Sequence, residues 1–353
     1  MKALVTGANG FVGSNLVREL VAGGHAVRAL VRPGADLRAL AGVPVEQAVG
    51  DVLEPASLAA ASRGQEVVFH AAAVFAYSGV AAEPLRAVAV DGTRHVLEAA
   101  AAAGVRRVVV TSSSVALGSS TTTVPRDEAC ELPEEEPAPP YFHVKAAQER
   151  EAFEAGRELG VEVVAVLPTI TVGPHDLKVV PSTAVLLDYL RDPLRTTFPG
   201  GCNVVHVRDV AAAHVLAAER GEPGQRYLAG SENLEWALLH RIVGELSGVG
   251  GPRLHAGHLS SLLAATTAEA WARLSGTRPL VTRDQARTVG RFYWYDHARL
   301  AALGWSPRPA RRALAEAVAW LLRSPHMTRT LRLTLAPSPE VLAVLAEEDA
   351  RAA

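Results

Sequence analysis

The segment Thr6-Gly7-Ala8-Asn9-Gly10-Phe11-Val12-Gly13 constrains this chain more than any other. It follows an apolar run, Ala3–Val5, and opens a helix-like stretch, Gly13–Ala22. Three glycines at this spacing predict a tight turn, close backbone approach to a pyrophosphate, and close helix–strand packing. The helix start then offers N–H groups and a positive dipole end to an anion. Asn9, Phe11 and Val12 share the turn with Gly7, Gly10 and Gly13, and all six are expected to contact the same ligand.

The rest of the first half repeats this strand-then-helix unit. Apolar runs at Ala26–Val31, Val67–Ala71, Arg107–Thr111 and Val161–Leu167 alternate with helix-like stretches near Ala56–Ala61, Pro84–Ala103 and Tyr141–Gly160. Such alternation implies right-handed βαβ units and a parallel sheet covered on both faces. The expected fold is α/β, a Rossmann-type doubly wound parallel sheet with a smaller, interleaved C-terminal substrate lobe. Ligands should bind beyond the carboxyl ends of the strands, after Val5, Val31, Phe69, Val110 and Leu167.

Residues 1–167 are read as the dinucleotide-binding domain, with later strands from about 203–230 (Asn203–Val207 and Arg226–Ala229). Residues 168–323 form the interleaved lobe, with helical patterns at Leu234–Leu246, Leu259–Leu274 and Ala310–Arg323, and 324–353 a helical tail. The Thr-, Glu- and Pro-rich stretch Ser119–Pro140 reads as a long mobile loop, and Glu134-Glu135-Glu136 within it as a solvated run.

Composition excludes several classes. The 35 Lys and Arg against 37 Asp and Glu leave no basic field to attract nucleic acid. Cys130 and Cys202 lack metal-ligand spacing and read as reduced thiols. No leader pattern opens the chain, and no apolar run approaches the roughly 18 residues of a membrane span. The expectation is a cytoplasmic protein without metal.

Candidate chemistry clusters at the predicted strand ends. Arg32 closes the second strand, where an acidic residue suits the ribose 2′-hydroxyl of NAD and an arginine the 2′-phosphate of NADP. It predicts NADP, with Arg38 as a helper; the alternatives are NAD, with Arg32 stacked on adenine, and a solvated surface arginine. Asp51, before Val52, is placed either to reach the adenine amino group or to cap the next helix. The fourth strand runs through His70 into Ala71-Ala72-Ala73, small residues that let a cofactor pass close by, with His70 packed beside it. In Tyr141-Phe142-His143-Val144-Lys145 the tyrosine and lysine share one helix face, and a nearby ammonium favours the phenolate of a tyrosine that ordinarily titrates near 10. Thr111 leads into Ser112-Ser113-Ser114, whose hydroxyls are placed to hold a substrate oxygen against the tyrosine.

In this order the residues resemble the extended short-chain dehydrogenase/reductases of the NAD-dependent epimerase/dehydratase family, over roughly Lys2 to Arg323. Within it the chain is most similar to dihydroflavonol 4-reductase-like reductases and hopanoid-associated sugar epimerase-like proteins. The segments that carry the likeness are Val5–Gly13, Val27–Pro33, Val109–Gly118, Tyr141–Glu149, Leu167–Pro174 and Val205–His214. The resemblance implies Ser113 as catalytic serine, Tyr141 as general acid/base, and Lys145 lowering its pKa and bonding the nicotinamide ribose. It implies Pro168 and Ile170 beside the nicotinamide, a supporting role for His206, Arg208 and Asp209, and frequent pairing into homodimers. Two departures stand out: Ala89 replaces an asparagine that orders a proton-relay path in relatives, and Val144 replaces the usual serine before the lysine.

The leading expectation is NADPH-dependent reduction of a carbonyl on a small substrate. Leu, Trp, Phe and Tyr in the segments expected to line its pocket (His175–Leu190, Leu254–Trp271, Phe292–Tyr295) suggest an apolar or aromatic one, unless they are simply the lobe's core. The competing readings are a nucleotide-sugar epimerase or dehydratase with tightly bound NAD, and a non-catalytic dinucleotide-binding protein.

Overall fold

The computed structural model describes residues 1–73, 82–136, 138–275 and 283–352. Six strands succeed one another in the first half: β1 (Lys2–Thr6), β2 (Ala26–Val31), β3 (Glu46–Val49), β4 (Val67–His70), β5 (Arg107–Thr111) and β6 (Glu162–Pro168). The second half adds β7 (Ile170–Val172), β8 (Thr196–Thr197), β9 (Gly201–His206), β10 (Arg226–Ala229), β11 (Glu232–Glu235), β12 (Leu254–His255) and β13 (Phe292–Tyr293). A seven-stranded sheet runs β10-β6-β5-β4-β1-β2-β3, and every pairing in it is parallel. The order reverses between β1 and β4, which opens a crevice at their carboxyl ends.

Strand alternation explains why both faces are covered. Val5, Phe69, Val109 and Val164 point to one side, under Leu16 and Leu20 of the helix Phe11–Ala22 and Val210 and Ala217 of the helix Val207–Arg220. Leu4, Val68, Val108 and Val163 point to the other, under Leu58, Val96, Leu97 and Ala152. A strand buried on both sides has no polar face to spare, so these runs read as continuously apolar.

A second sheet is built on β9, with β11 antiparallel on one edge and β7 and β13 parallel on the other; β8 and β12 form a separate pair. Of the two late strand candidates, Arg226–Ala229 joins the large sheet, whereas Gly201–His206 belongs to the second one. The lobe's core packs Leu186, Leu190, Cys202, Val204, Leu239, Leu314 and Val318, and the tail helix Pro339–Ala352 adds Val341 and Val344 to it. Arginines of the helix Ala310–Arg323 grip the same tail from outside, Arg312 on Glu347 at 2.7 Å and Arg323 on Asp349 at 2.7 Å.

Three expectations are refined or corrected. The stretch near Pro84–Ala103 is helical without a break from Ala82 to Ala102, but a π-turn, Ala87–Asp91, interrupts its α-helical ladder between Ala82–Arg86 and Gly92–Ala102. There the Thr93 hydroxyl bonds back to the Ala89 carbonyl at 2.5 Å, and a Cβ on Gly92 would lie 3.0 Å from Val52. The helix expected from Leu234 starts at Trp236, because Glu232–Glu235 pairs with β9. The loop after Gly118 is a tethered strap rather than a free one: Ser120 bridges Phe292 and Arg126 bridges Tyr295. Glu136 is buried in it, 3.1 Å from Arg291, and accepts from the Ser119 backbone N–H (3.1 Å) and hydroxyl (2.5 Å). Glu134 and Glu135 are exposed, as the solvated reading expects; at Glu136 a guanidinium distant in sequence and the Ser119 hydrogen bonds overturn it.

Candidate active site

The glycine turn does what its spacing requires. Gly7 has φ +66°, and a Cβ there would lie 2.7 Å from the backbone of Ala71 and Ala72. A Cβ on Gly13 would lie 2.1 Å from the Gly7 carbonyl oxygen, so the helix can start this close to β1 only without a side chain. Gly10 is the N-cap and no side chain caps the helix, which leaves its first-turn N–H groups for a ligand. This cradle fits a dinucleotide pyrophosphate. Phe11 is buried, Val12 partly so, and Asn9 donates to the Asp36 carbonyl at 3.1 Å, tying the turn to the loop after β2.

At the end of β2, Arg32 is exposed. Arg38, by contrast, is engaged by Asp36 at 2.7 Å, and its hydrogen bonds hold that carboxyl at about 2. Asp51 accepts from the Leu53 N–H at 3.0 Å and so shapes the turn before the helix Pro55–Ser62; Val52 is buried in the core. Ala71 and Ala72 are partly exposed beside Gly7, and Ala73 is exposed.

His70 is fully buried, with Nδ1 2.8 Å from the Thr6 hydroxyl and Nε2 3.0 Å from the Thr93 hydroxyl. Burial, aided by the Lys145 charge, pushes it down to about 3, so it is neutral and takes no part as an exposed base.

Tyr141 and Lys145 lie in the first two turns of the helix Pro140–Leu159, whose Pro139 N-cap and Pro140 set the backbone for helix entry. Both are buried, and Tyr141 packs with Val115 and Phe142, while Tyr293 closes the cluster edge-on to Phe142 at 5.9 Å. The Lys145 Nζ donates to the Thr111 carbonyl at 2.8 Å and to Gln148 Oε1 at 2.7 Å. Burial lowers the lysine to about 8, against an opposing pull from Glu149. Thr111 also meets His214 Nε2 through its hydroxyl at 2.8 Å, so both of its polar groups serve the frame around the lysine.

The three serines after β5 face different ways. Ser112 is buried against Glu149, and Ser114 is buried against Tyr295. Ser113 is partly exposed at the start of the 3-10 turn Ser114–Leu117. Pro168 ends β6 beside Ala229 of β10, and Ile170, partly exposed, begins β7. Asp209 is a structural anchor, paired with Arg308 at 2.9 Å, and His206 lies 3.1 Å from Glu316.

Of the residues expected around a substrate, Tyr293 approaches the tyrosine cluster, whereas Leu259, Leu263 and Trp271 of the helix His258–Ser275 are largely exposed and are not part of the lobe's core. Sequence reasoning missed Gln148 and Thr93, which lie directly on the lysine's hydrogen-bond chain; the position of Gln148 one turn beyond Lys145 was the available signal. Among the described residues no cluster of metal-ligating side chains occurs, and no helix is long and apolar enough to cross a membrane.

Known proteins share the family and the fold. The family model described as the NAD dependent epimerase/dehydratase family matches residues 3–230. A Synechocystis protein provisionally named dihydroflavonol 4-reductase is 34% identical over 321 residues, covering 90% of this chain and 93% of its own. Cinnamoyl-CoA reductase 1 of Oryza sativa is 35% identical over 338 residues, covering 92% and 91%. The crystal structure of gox2253 superposes with a TM-score of 0.82 at 36% identity, covering 93% of this chain and 99% of that one. The chain belongs to the NAD dependent epimerase/dehydratase family.

Proposed function

We propose that the protein is an NADP-preferring reductase that converts the carbonyl of a small apolar or aromatic substrate to an alcohol, with Ser113, Tyr141 and Lys145 as its catalytic set. The observation that carries this reading is the buried Tyr141–Lys145 pair on one helix face, with the lysine held by Thr111 and Gln148. The reductase names of the relatives and the apolar setting of Tyr141 (Val115, Phe142, Tyr293) support the substrate class.

When bound at the glycine cradle, the dinucleotide supplies a hydride to the carbonyl carbon. Tyr141 donates its phenolic proton to the carbonyl oxygen, and the Ser113 hydroxyl bonds the same oxygen as its charge grows. Lys145, shifted to about 8, remains mostly protonated at neutral pH and stabilises the phenolate left behind. Of the three serines, Ser113 suits this role because its neighbours face Glu149 and Tyr295 instead. In alcohol oxidation the same groups run in reverse, with Tyr141 as base.

Tyr141→Phe keeps the ring and removes the proton. Turnover should fall by at least about 100-fold, with NADPH affinity unchanged by calorimetry. Activity that persists in this variant would overturn the assignment.

A further inference from the structure

Gln148 is fully buried, three residues beyond Lys145 on the same helix. Its Oε1 lies 2.7 Å from the Lys145 Nζ, and its Nε2 donates to the Thr93 hydroxyl at 3.1 Å. A carboxamide has two similar ends, and the reversed orientation would press N–H donors against an ammonium. What decides between them is the proton inventory of the groups beyond it.

The single hydroxyl proton of Thr93 goes to the Ala89 carbonyl at 2.5 Å, which the π-turn Ala87–Asp91 brings within reach. The Thr93 oxygen is then an acceptor only, and receives both Gln148 Nε2 and His70 Nε2. His70 therefore carries its proton on Nε2, and Nδ1 accepts from the Thr6 hydroxyl at 2.8 Å. Thr6 in turn accepts from the Ala72 N–H at 3.2 Å. Each atom in this dry chain has one consistent role, from the glycine turn to the lysine.

We propose that Gln148 is a positioning residue for Lys145, and that Thr93 and His70 fix its amide with the oxygen toward the ammonium. The inference rests on the reading of Tyr141 and Lys145 as the acid–base pair. Ala89 has no polar side chain to do this from the π-turn, so the support comes from one turn along the lysine's own helix.

The charged and titratable groups around the lysine leave this role to Gln148. Glu149, on the same helix, is paired with Arg226 of β10 at 2.7 Å. His70 from β4 is neutral, and so is His214, which meets Thr111 from the helix Val207–Arg220 and is pushed down to about 4 by burial. Removal of the Gln148 oxygen leaves the ammonium with the Thr111 carbonyl as its remaining acceptor among the described contacts. The charged lysine is then disfavoured, and the Tyr141 phenolate loses part of its stabilisation.

The test needs no substrate. Tyrosinate absorbance at 295 nm is titrated in the NADP⁺-loaded protein, and the ionisation lost in Tyr141→Phe is assigned to Tyr141. In Gln148→Met, which conserves volume, this step should move up by about one pH unit, with NADP⁺ affinity unchanged. Thr93→Val should move it the same way, and Thr93→Ser, which keeps the hydroxyl, should leave it in place; these two keep the question answerable if the buried Met variant does not fold. A Tyr141 step present in the parent protein and unmoved in both Gln148→Met and Thr93→Val would overturn the inference alone. Absence of a Tyr141 step below the ordinary tyrosine range in the parent would overturn the catalytic reading, and the inference with it.

Discussion

Arg32 and Arg38 leave the same turn after β2, but they are not equivalent. Arg38 is clamped on Asp36 at 2.7 Å, while Arg32 is exposed and has no ion pair among the described contacts. A guanidinium with all its donors in reach of an anion suits the 2′-phosphate of NADP, and the one acidic side chain in that turn is already engaged. Arg32→Ala should weaken NADPH binding by about 10-fold or more while NADH binding changes little, as parallel calorimetric titrations would report. Equal losses for both nucleotides, or a parent protein whose NAD cannot be stripped, would favour the epimerase reading. At this scale the sequence was most informative where chemistry needs a residue type at a fixed spacing. The glycines of the first turn and the Tyr141–Lys145 pair are of that kind. Gln148 was legible only in its place one turn beyond Lys145; its importance depends on Thr93, which reaches it from another element and is itself met by His70.

Among the elements, the parallel strands were the most legible, since burial on both faces writes them as short apolar runs. Their expected bounds at Ala26–Val31, Arg107–Thr111 and Arg226–Ala229 coincide with β2, β5 and β10. The strap from Ser119 to Glu136 was not, because a run of glutamates gives no sign of which one is buried. Its anchor, Arg291, stands just before β13 and meets both Glu136 and Ser119, at 3.1 and 2.7 Å. Removing the guanidinium strands a carboxylate that is 2% exposed. Arg291→Ala should therefore cost about 3 kcal/mol of stability, measured by denaturant unfolding, and should loosen the strap beside the Tyr141 cluster. A variant as stable as the parent would show that the strap is held by its backbone bridges instead.

For the whole molecule, the junction between the two sheets carries a cluster of charge. Arg308 reaches Asp209 on the helix Val207–Arg220 at 2.9 Å and Glu316 on the helix Ala310–Arg323 at 3.2 Å. Burial alone would raise the Glu316 carboxyl, but His206 and the arginines outweigh it and hold it at about 2. An unstructured glutamate titrates near about 4.3, so Glu316 stabilises the fold above that value, and the contribution drains away as pH falls toward 2. Melting temperatures followed from pH 6 to 3 should fall less steeply in Glu316→Gln than in the parent. The interleaved lobe was legible in the sequence but the allotment of its strands was not, since no local pattern says which sheet a late strand will join: β9 and β10 read alike and went to different sheets.

The position of β10 also governs the order in which the chain can finish itself. During synthesis, β6 emerges with its outer edge open, and the strand that covers it follows only after the chain has passed through β7, β8 and β9. Until then Val163–Leu167 presents unpaired backbone groups and buried-type side chains to whatever is near. A ribosome that pauses between Pro168 and Arg226 would thus hold out an adhesive edge, and β10, the last strand of this sheet to arrive, acts as the guard against self-association.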